Sequence, residues 1–197
     1  MQLNFVQDNI ISFDSLNLRT HTYFHEIFPL SLLSNTVDHI ISTKPLTHQS
    51  DTDNNQPNPT LKRKGINIEY EEILNPFYTI LNNCIHQANQ NYNFDLDFID
   101  ELIYMEYSSS NSGLRWHMDI GENRSSLRKL SFSIFLNDLN EFEGGELEIM
   151  RDEKNLRIQS HTGSIILFPS YLQHRVTPII KGVRKVIVGF IGGRPFR

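Results

Sequence analysis

From about residue 93 to the C-terminus the chain consists of short apolar segments broken by Gly, Asn, Pro and Ser, and this rhythm restricts the fold more than any single motif does. The segments are LIYMEY, LRWHMD, KLSFSIFLN, ELEIM, LRIQ, SIILFP, HRVTP and VRKVIVGFI. Short strands at this spacing, with no helical pattern between them, predict an antiparallel sandwich or barrel rather than alternating βαβ units. Within KLSFSIFLN, Leu130, Phe132, Ile134 and Leu136 alternate with Ser131, Ser133 and Phe135. Side chains leave a strand on alternate faces, so one face is continuously apolar and the other is mixed. A mixed face is suited to lining a pocket.

The residues before 93 read differently. Leu32, Leu33, Val37, Ile40 and Ile41 recur at helical spacing after Pro29, which predicts a helix over 30–42. The stretch 44–64 has three prolines, many Asn and Asp and almost no apolar residues, and is expected to be an exposed polar loop, a candidate lid that orders over the pocket when substrate binds. GINIEY reads as a strand. Asn75 and Pro76 then look like an N-cap and a first helical residue, and Leu74, Phe77, Tyr78, Leu81, Ile85 and Ala88 predict an amphipathic helix over 75–90. Cys84 falls on or beside its buried face, as a structural thiol rather than a nucleophile. No repeat of fixed period is present.

A chain of 197 residues is expected to form one domain, with a helical support over 1–92 that includes the polar loop, and a β-core over 93–197 carrying the site. The single cysteine cannot close an intramolecular disulfide, and MQLNFVQDNIISF lacks the basic and apolar parts of a secretion signal, so a reducing, cytoplasmic setting is expected. No apolar run is long enough to span a bilayer, and VIVGFIGG reads as a buried strand. A net charge of -5 argues against a nucleic-acid partner, and the basic cluster LKRKG at 61–65 is read as a solvated loop end. Nothing in the pattern sets an oligomeric state.

LRWHMDIG places His117 and Asp119 one residue apart, a weak signal alone in a chain with eight histidines. If LRWHMD is a strand, the two side chains project from one face. A third ligand must come from a neighbouring strand, where FPSYLQHRVTP offers His174, with His161 in SHTGS as a rival. Two histidines and a carboxylate form the facial triad that suits non-haem Fe(II), leaving coordination positions open. Arg184 follows on the next predicted strand. A metal with one carboxylate ligand stays positive and can take one end of a dianionic co-substrate, while a guanidinium grips the other end bidentately. His21, His25 and Glu26 form H-x-x-x-H-E, which lacks the intervening glutamate of zinc proteases, and are read as structural or surface residues. Trp116 is expected beside the site or at its mouth. Gly144 and Gly145 are expected where a side chain would crowd a neighbouring strand.

HMD, FEGGELEI and GSIILFPSYLQHRVTPIIKGVR, in this order and spacing, resemble the Fe(II)/2-oxoglutarate-dependent dioxygenases, in particular the prolyl 4-hydroxylase-like branch that includes PKHD-type hydroxylases. The resemblance extends upstream through ANQNYNFDLDFIDELIYMEY and covers about residues 75 to 192. It implies a mainly β (α+β) fold, a double-stranded β-helix or jelly roll with supporting N-terminal helices. It implies Fe(II) held by His117, Asp119 and His174, Arg184 paired with the distal carboxylate of 2-oxoglutarate, Tyr107 against the same co-substrate, and no catalytic side chain beyond the metal site. Many relatives carry a tyrosine where this chain has Phe135, which leaves Ser133 as a candidate replacement for that hydroxyl. The implied activity couples O2 and 2-oxoglutarate, decarboxylated to succinate and CO2, to hydroxylation of an aliphatic C–H, with ascorbate as a candidate reductant. The branch suggests a prolyl residue in a peptide or protein as substrate. A small molecule such as a free amino acid, and a non-catalytic jelly-roll binding module, are the alternatives; repair of alkylated nucleic acid is disfavoured by the acidic charge.

Overall fold

A computed structural model describes residues 20–48, 52–53, 56–57, 63–108, 113–151, 154–159 and 161–195. In chain order its elements are β1 (Thr22–Phe24), α1 (Leu30–Thr43), β2 (Thr47–His48), β3 (Thr52–Asp53), β4 (Gln56–Pro57), β5 (Arg63–Asn67), α2 (Asn75–Tyr92) and β6 (Leu96–Ser108). They continue with β7 (Leu114–His117), β8 (Arg128–Phe135), β9 (Phe142–Gly144), β10 (Leu147–Ile149), β11 (Leu156–Ile158), β12 (Ile165–Pro169), β13 (His174–Val176) and β14 (Ile179–Gly193). The fold is mainly β and antiparallel. The major sheet runs β1-β12-β8-β14-β6-β5-β2, with β9 paired to the start of β14, and the minor sheet runs β11-β10-β13-β7. The short pair β3–β4 stands apart from both.

Alternation along the major strands divides the core in two. Leu130, Phe132 and Ile134 of β8, Leu102 and Tyr104 of β6, and Ile187 of β14 pack under the helices. From the same strands, Phe135, Met105, Tyr107 and Val186 turn inward against Leu147, Ile149 and Val176 of the minor sheet. The mixed face of β8 is therefore the inner one, and Ser131 and Ser133 border a cavity there. α2 closes the outer face with Phe77, Leu81, Cys84, Ile85 and Ala88. Full burial of a large apolar side chain contributes about 1.5–3 kcal/mol, so this helix is held by packing more than by propensity. Burial also pushes the Cys84 thiol up to about 12, as expected of a structural cysteine.

The local boundaries show where pattern reading met tertiary structure. α1 follows Pro29 as expected. α2 instead continues from a 3-10 turn at Glu72–Leu74, and Asn75 is its first residue rather than its cap. The Asn75 side-chain oxygen accepts a hydrogen bond from the Tyr70 hydroxyl at 2.8 Å. The helix stops at Asn93, which takes the left-handed conformation, while the Asn89 amide bridges forward to both backbone groups of Phe94. Before residue 93 the chain supplies three strands of the major sheet besides its two helices. β2, at the start of the stretch read as a polar loop, pairs with β5 at the sheet edge. Most of 49–62, including the part expected to act as a lid, lies outside the described residues. No helix among the described residues is long and apolar enough to cross a membrane.

Leu81 is fully buried between α2 and the major sheet. Leu81→Ala is expected to lower stability by about 2–5 kcal/mol, read as a lower urea midpoint with an unchanged slope.

Candidate functional site

β7 and β13 are neighbours in the minor sheet, and their pairing sets His117 directly opposite His174. The imidazole centroids are 4.2 Å apart, with the rings inclined at 52°. Each ring donates from Nδ1 to a main-chain carbonyl two residues back, His117 to Arg115 at 2.8 Å and His174 to Leu172 at 3.0 Å. That tautomer leaves both Nε2 atoms as lone-pair donors on one side. Asp119 arrives by a route that strand alternation does not describe. β7 ends at His117, and the Asp119 N–H donates to the Ser170 carbonyl at 2.9 Å, turning the chain back across the end of the sheet. Its carboxylate then lies between the rings, Oδ1 3.4 Å from His117 Nε2 and Oδ2 3.3 Å from His174 Nε2. One donor atom from each residue lies within 4.8 Å of the others, an arrangement that can hold a metal ion.

Burial opposes the charge on Asp119, but hydrogen bonds from His117 and Ser131 and the His174 imidazole outweigh it and hold the carboxyl below its ordinary range. Burial also works against a charged His117, and the adjacent Asp119 carboxylate overrides it and raises that imidazole. At the more enclosed His174 burial prevails, favouring the neutral ring that serves as a ligand.

Arg184 projects from β14 into the same cavity, which has a volume of about 570 Å³. It is only 1% exposed, and among the described residues its Nε and Nη1 have no hydrogen-bond partner. The guanidinium carbon lies 5.1 Å from the centre of the Tyr107 ring and 5.9 Å from that of Phe135. Tyr107 is its cross-strand partner on β6. Burial lowers the guanidinium's proton affinity and Tyr107 opposes that shift. Two devices hold this side chain in place. The Asn137 amide donates to the Val183 carbonyl at 2.7 Å and accepts from the Lys185 N–H at 2.9 Å, clamping the backbone on both sides of Arg184. Gly145, at φ 69°, faces the arginine stem: a Cβ there would run into Ile179 and come within 3.0 Å of Arg184 Cδ.

The cavity thus brings together His117, Asp119, His174, Arg184 and Tyr107, with Ser133 on its wall. His161 is not among its lining residues and sits beside His25 instead, with ring centroids 4.9 Å apart. Trp116 lies under the Arg175 guanidinium at 4.9 Å and does not line the cavity.

Sequence reading passed over several residues of the site. Arg63, taken as part of a solvated loop end, is buried on the inner face of β5 opposite Tyr107 and lines the cavity. Three basic residues in succession hid which one faces inward, and only the pairing of β5 with β6 reveals it. Arg128 was also missed. Its Nε donates to Asp100 at 2.7 Å, Nη2 to Glu101 at 3.0 Å and Nη1 to the Asp119 carbonyl at 3.4 Å, while the group stacks 3.7 Å from the Phe190 centroid. Arg124 pairs with Asp100 as well. A second cavity of about 450 Å³ shares Glu101 and Arg128 with the first, so this ion-paired group forms the rim between them.

The sequence pattern of the 2OG-Fe(II) oxygenase superfamily matches residues 102–192, the span that carries every residue of the triad and Arg184. Over that span the chain resembles the 2OG-Fe(II) oxygenases. A PKHD-type hydroxylase of Synechococcus sp. strain CC9902 is 42% identical over 91 residues, 45% of this chain and 40% of that protein. The match therefore spans less than half the length of that curated relative. A solved prolyl-4-hydroxylase of Pseudomonas putida superposes with a TM-score of 0.72 at 17% identity, covering 92% of this chain and 96% of that one. A Trichoplax adhaerens prolyl hydroxylase, solved with a peptide fragment of the hypoxia inducible factor oxygen degradation domain, gives 0.71 at 18% identity, over 91% and 86% of the two chains. At such identity these neighbours establish the fold, the jelly roll of the 2OG oxygenases.

Hydrogen bonds from Arg128 and Arg124 overcome the burial of Asp100 and hold its carboxyl below the usual 3.8. A depressed native pKa contributes stability that is present above the unfolded value and disappears as the pH falls through the native one. Asp100→Asn is therefore expected to destabilise the protein by about 1–3 kcal/mol at neutral pH. In thermal melts collected at decreasing pH, the gap to the parent protein should narrow below the ordinary aspartate range; a constant gap would show that the Asp100 charge is not what holds Arg128.

Proposed function

We propose that this protein is an Fe(II)- and 2-oxoglutarate-dependent hydroxylase acting on a prolyl residue of a peptide or protein. The observation that carries the reading is the pairing, in one cavity, of a His-Asp-His donor set with a buried guanidinium whose Nε and Nη1 have no partner among the described residues. A buried cation left open in this way is unfavourable until an anion meets it. A carboxylate matches a guanidinium in charge and in the fork geometry of its N–H groups. The donor set fits the metal equally well, since both imidazoles are fixed by Nδ1 bonds and the carboxylate is held ionised.

His117, Asp119 and His174 would hold Fe(II), and Arg184 would receive the distal carboxylate of 2-oxoglutarate with Tyr107 beside it. Once bound, iron and 2-oxoglutarate supply the oxidising chemistry, in which O2 is consumed, 2-oxoglutarate yields succinate and CO2, and a substrate C–H becomes C–OH. The protein's part is orientation and enclosure. Asp119 removes one positive charge from the metal, Arg184 fixes the far end of the co-substrate, and Ile103, Met105 and Val188 give the cavity apolar walls that limit water. With Phe135 in place of a tyrosine, Ser133 is one of the hydroxyls on the wall, beside Ser131 and Tyr107. The peptide assignment draws on the neighbouring Trichoplax enzyme and on the adjoining cavity beyond the Arg128–Glu101 rim, which lengthens the site toward the surface.

Succinate release from 2-oxoglutarate, with Fe(II), O2 and ascorbate, should rise when proline-containing peptides are added and respond less to free proline. The opposite order would assign the chemistry to a small molecule. His174→Ala should abolish turnover while the protein stays folded, because it removes one of three metal ligands. Arg184→Ala should keep Fe(II) affinity within a small factor but weaken 2-oxoglutarate by roughly thirty-fold to several thousand-fold, with Arg184→Lys intermediate. Unchanged 2-oxoglutarate binding in Arg184→Ala would remove the co-substrate assignment and leave the metal assignment standing.

A further inference from the structure

Outside the cavity, a second set of metal-competent side chains converges where the turn after β1 meets the turn between β11 and β12. One donor atom each from His25, Glu26 and His161 lies within 4.8 Å of the others, the same closeness as in the His117, Asp119 and His174 set. The His25 and His161 rings are 4.9 Å apart at 48°, and His25 Nε2 is 3.8 Å from Glu26 Oε1. We propose that His25, Glu26 and His161 form a second metal site, for a divalent ion of the zinc class, which clamps these two turns together.

The donors belong to segments far apart in sequence, and their meeting does not rest on the donors themselves. The Phe28 N–H donates to the Gly163 carbonyl at 3.0 Å, and the Glu26 N–H donates to Ser164 Oγ at 2.8 Å. The two turns are thus stitched together by one backbone bond and one bond to a serine hydroxyl before any ion arrives, which reduces the ordering that binding must impose. Adjacent residues seldom serve one centre, because their side chains diverge in extended chain. Glu26 escapes this by taking φ 47°, the left-handed conformation that non-glycine residues rarely adopt. Gly163 permits the approach of the second turn: at φ 85° it has room for no Cβ, which would lie 2.7 Å from the Phe28 carbonyl oxygen.

The donor chemistry selects the ion. Two imidazoles with one carboxylate suit zinc and its transition-metal neighbours, whereas calcium and magnesium require oxygen ligands. A tetrahedral zinc ion with bonds of about 2.0–2.1 Å needs donors roughly 3.3–3.5 Å apart, within reach of small side-chain rotations from the observed separations. The fourth position would be water, since Glu26 is exposed and both imidazoles are partly so. Asp138 adds negative charge nearby, accepting the Thr162 N–H at 2.7 Å. The site shares no lining residue with the cavity, and the Tyr23 ring lies 6.4 Å from both His25 and Phe135.

The test is metal stoichiometry in the full chain. Chelator-stripped protein, titrated calorimetrically with Zn2+, should take up two equivalents. His161→Ala and His25→Ala should each take up one, and Glu26→Gln should bind the second equivalent at least about ten-fold more weakly. His174→Ala should lose the other equivalent and keep this one, together with a zinc-dependent rise in Tm that disappears in His174→Ala/His161→Ala. His161→Gln keeps the bulk of the side chain and guards against a packing defect in the alanine variant. All the variants outside the cavity should retain 2-oxoglutarate turnover with Fe(II). Uptake by the parent protein of a single equivalent that His174→Ala abolishes, or of two equivalents by both His161→Ala and His161→Gln, would overturn the proposal.

Discussion

The major sheet is covered on both sides, and period-two alternation along β6, β8 and β14 sends neighbouring side chains into unlike surroundings. On the helix side Leu130, Phe132, Ile134 and Ile187 meet a dry layer built by α1 and α2. On the other side the same strands present Ser131, Tyr107 and Arg184 to the minor sheet across a cavity. A shift of one residue in any of these strands would exchange the two sets, setting serines and a guanidinium against apolar helices. The dry face thereby holds the register on which the polar face depends, and the helices contribute to the site without touching it.

Within that frame the site is oriented mainly by main-chain hydrogen bonds. Two carbonyls fix the tautomers of His117 and His174, the Ser170 carbonyl turns Asp119 into place, and Asn137 grips the backbone around Arg184. These main-chain groups lie in strands or in the short turn between β12 and β13, and are less mobile partners than side chains, so the donor set is arranged in advance of any ligand. Arg128 joins this framework to the rim, since it bonds the Asp119 carbonyl while pairing with Asp100 and Glu101.

What could be read in the sequence follows from the same division. Alternation in β8 foretold its two faces, and the apolar repeat in α2 foretold its contact with the sheet, because both signals are local and periodic. The pairing of His117 with Asp119 was anticipated through strand alternation, yet Asp119 lies beyond the strand and depends on Ser170, a contact with no sequence signature. Arg63 was misread because a run of basic residues carries no sign of which member turns inward. Asn137, Arg128 and Gly145 act through partners on other strands, so their roles exist only after the sheets have formed. The convergence of His25 and Glu26 with His161 was equally invisible, since it depends on two turns meeting across the edge of the fold.

The half-satisfied guanidinium of Arg184 also ties the lifetime of the protein to its surroundings. An ionised group enclosed without a counter-charge weighs against the folded state. Any small anion able to reach Nε and Nη1 lifts that burden in proportion to its concentration over its dissociation constant. Folding stability, and with it resistance to proteolysis, therefore tracks the supply of suitable anions. A product that kept the same distal carboxylate would hold the pocket closed to the next molecule, so clearance of that product would set the pace at which the cavity is freed.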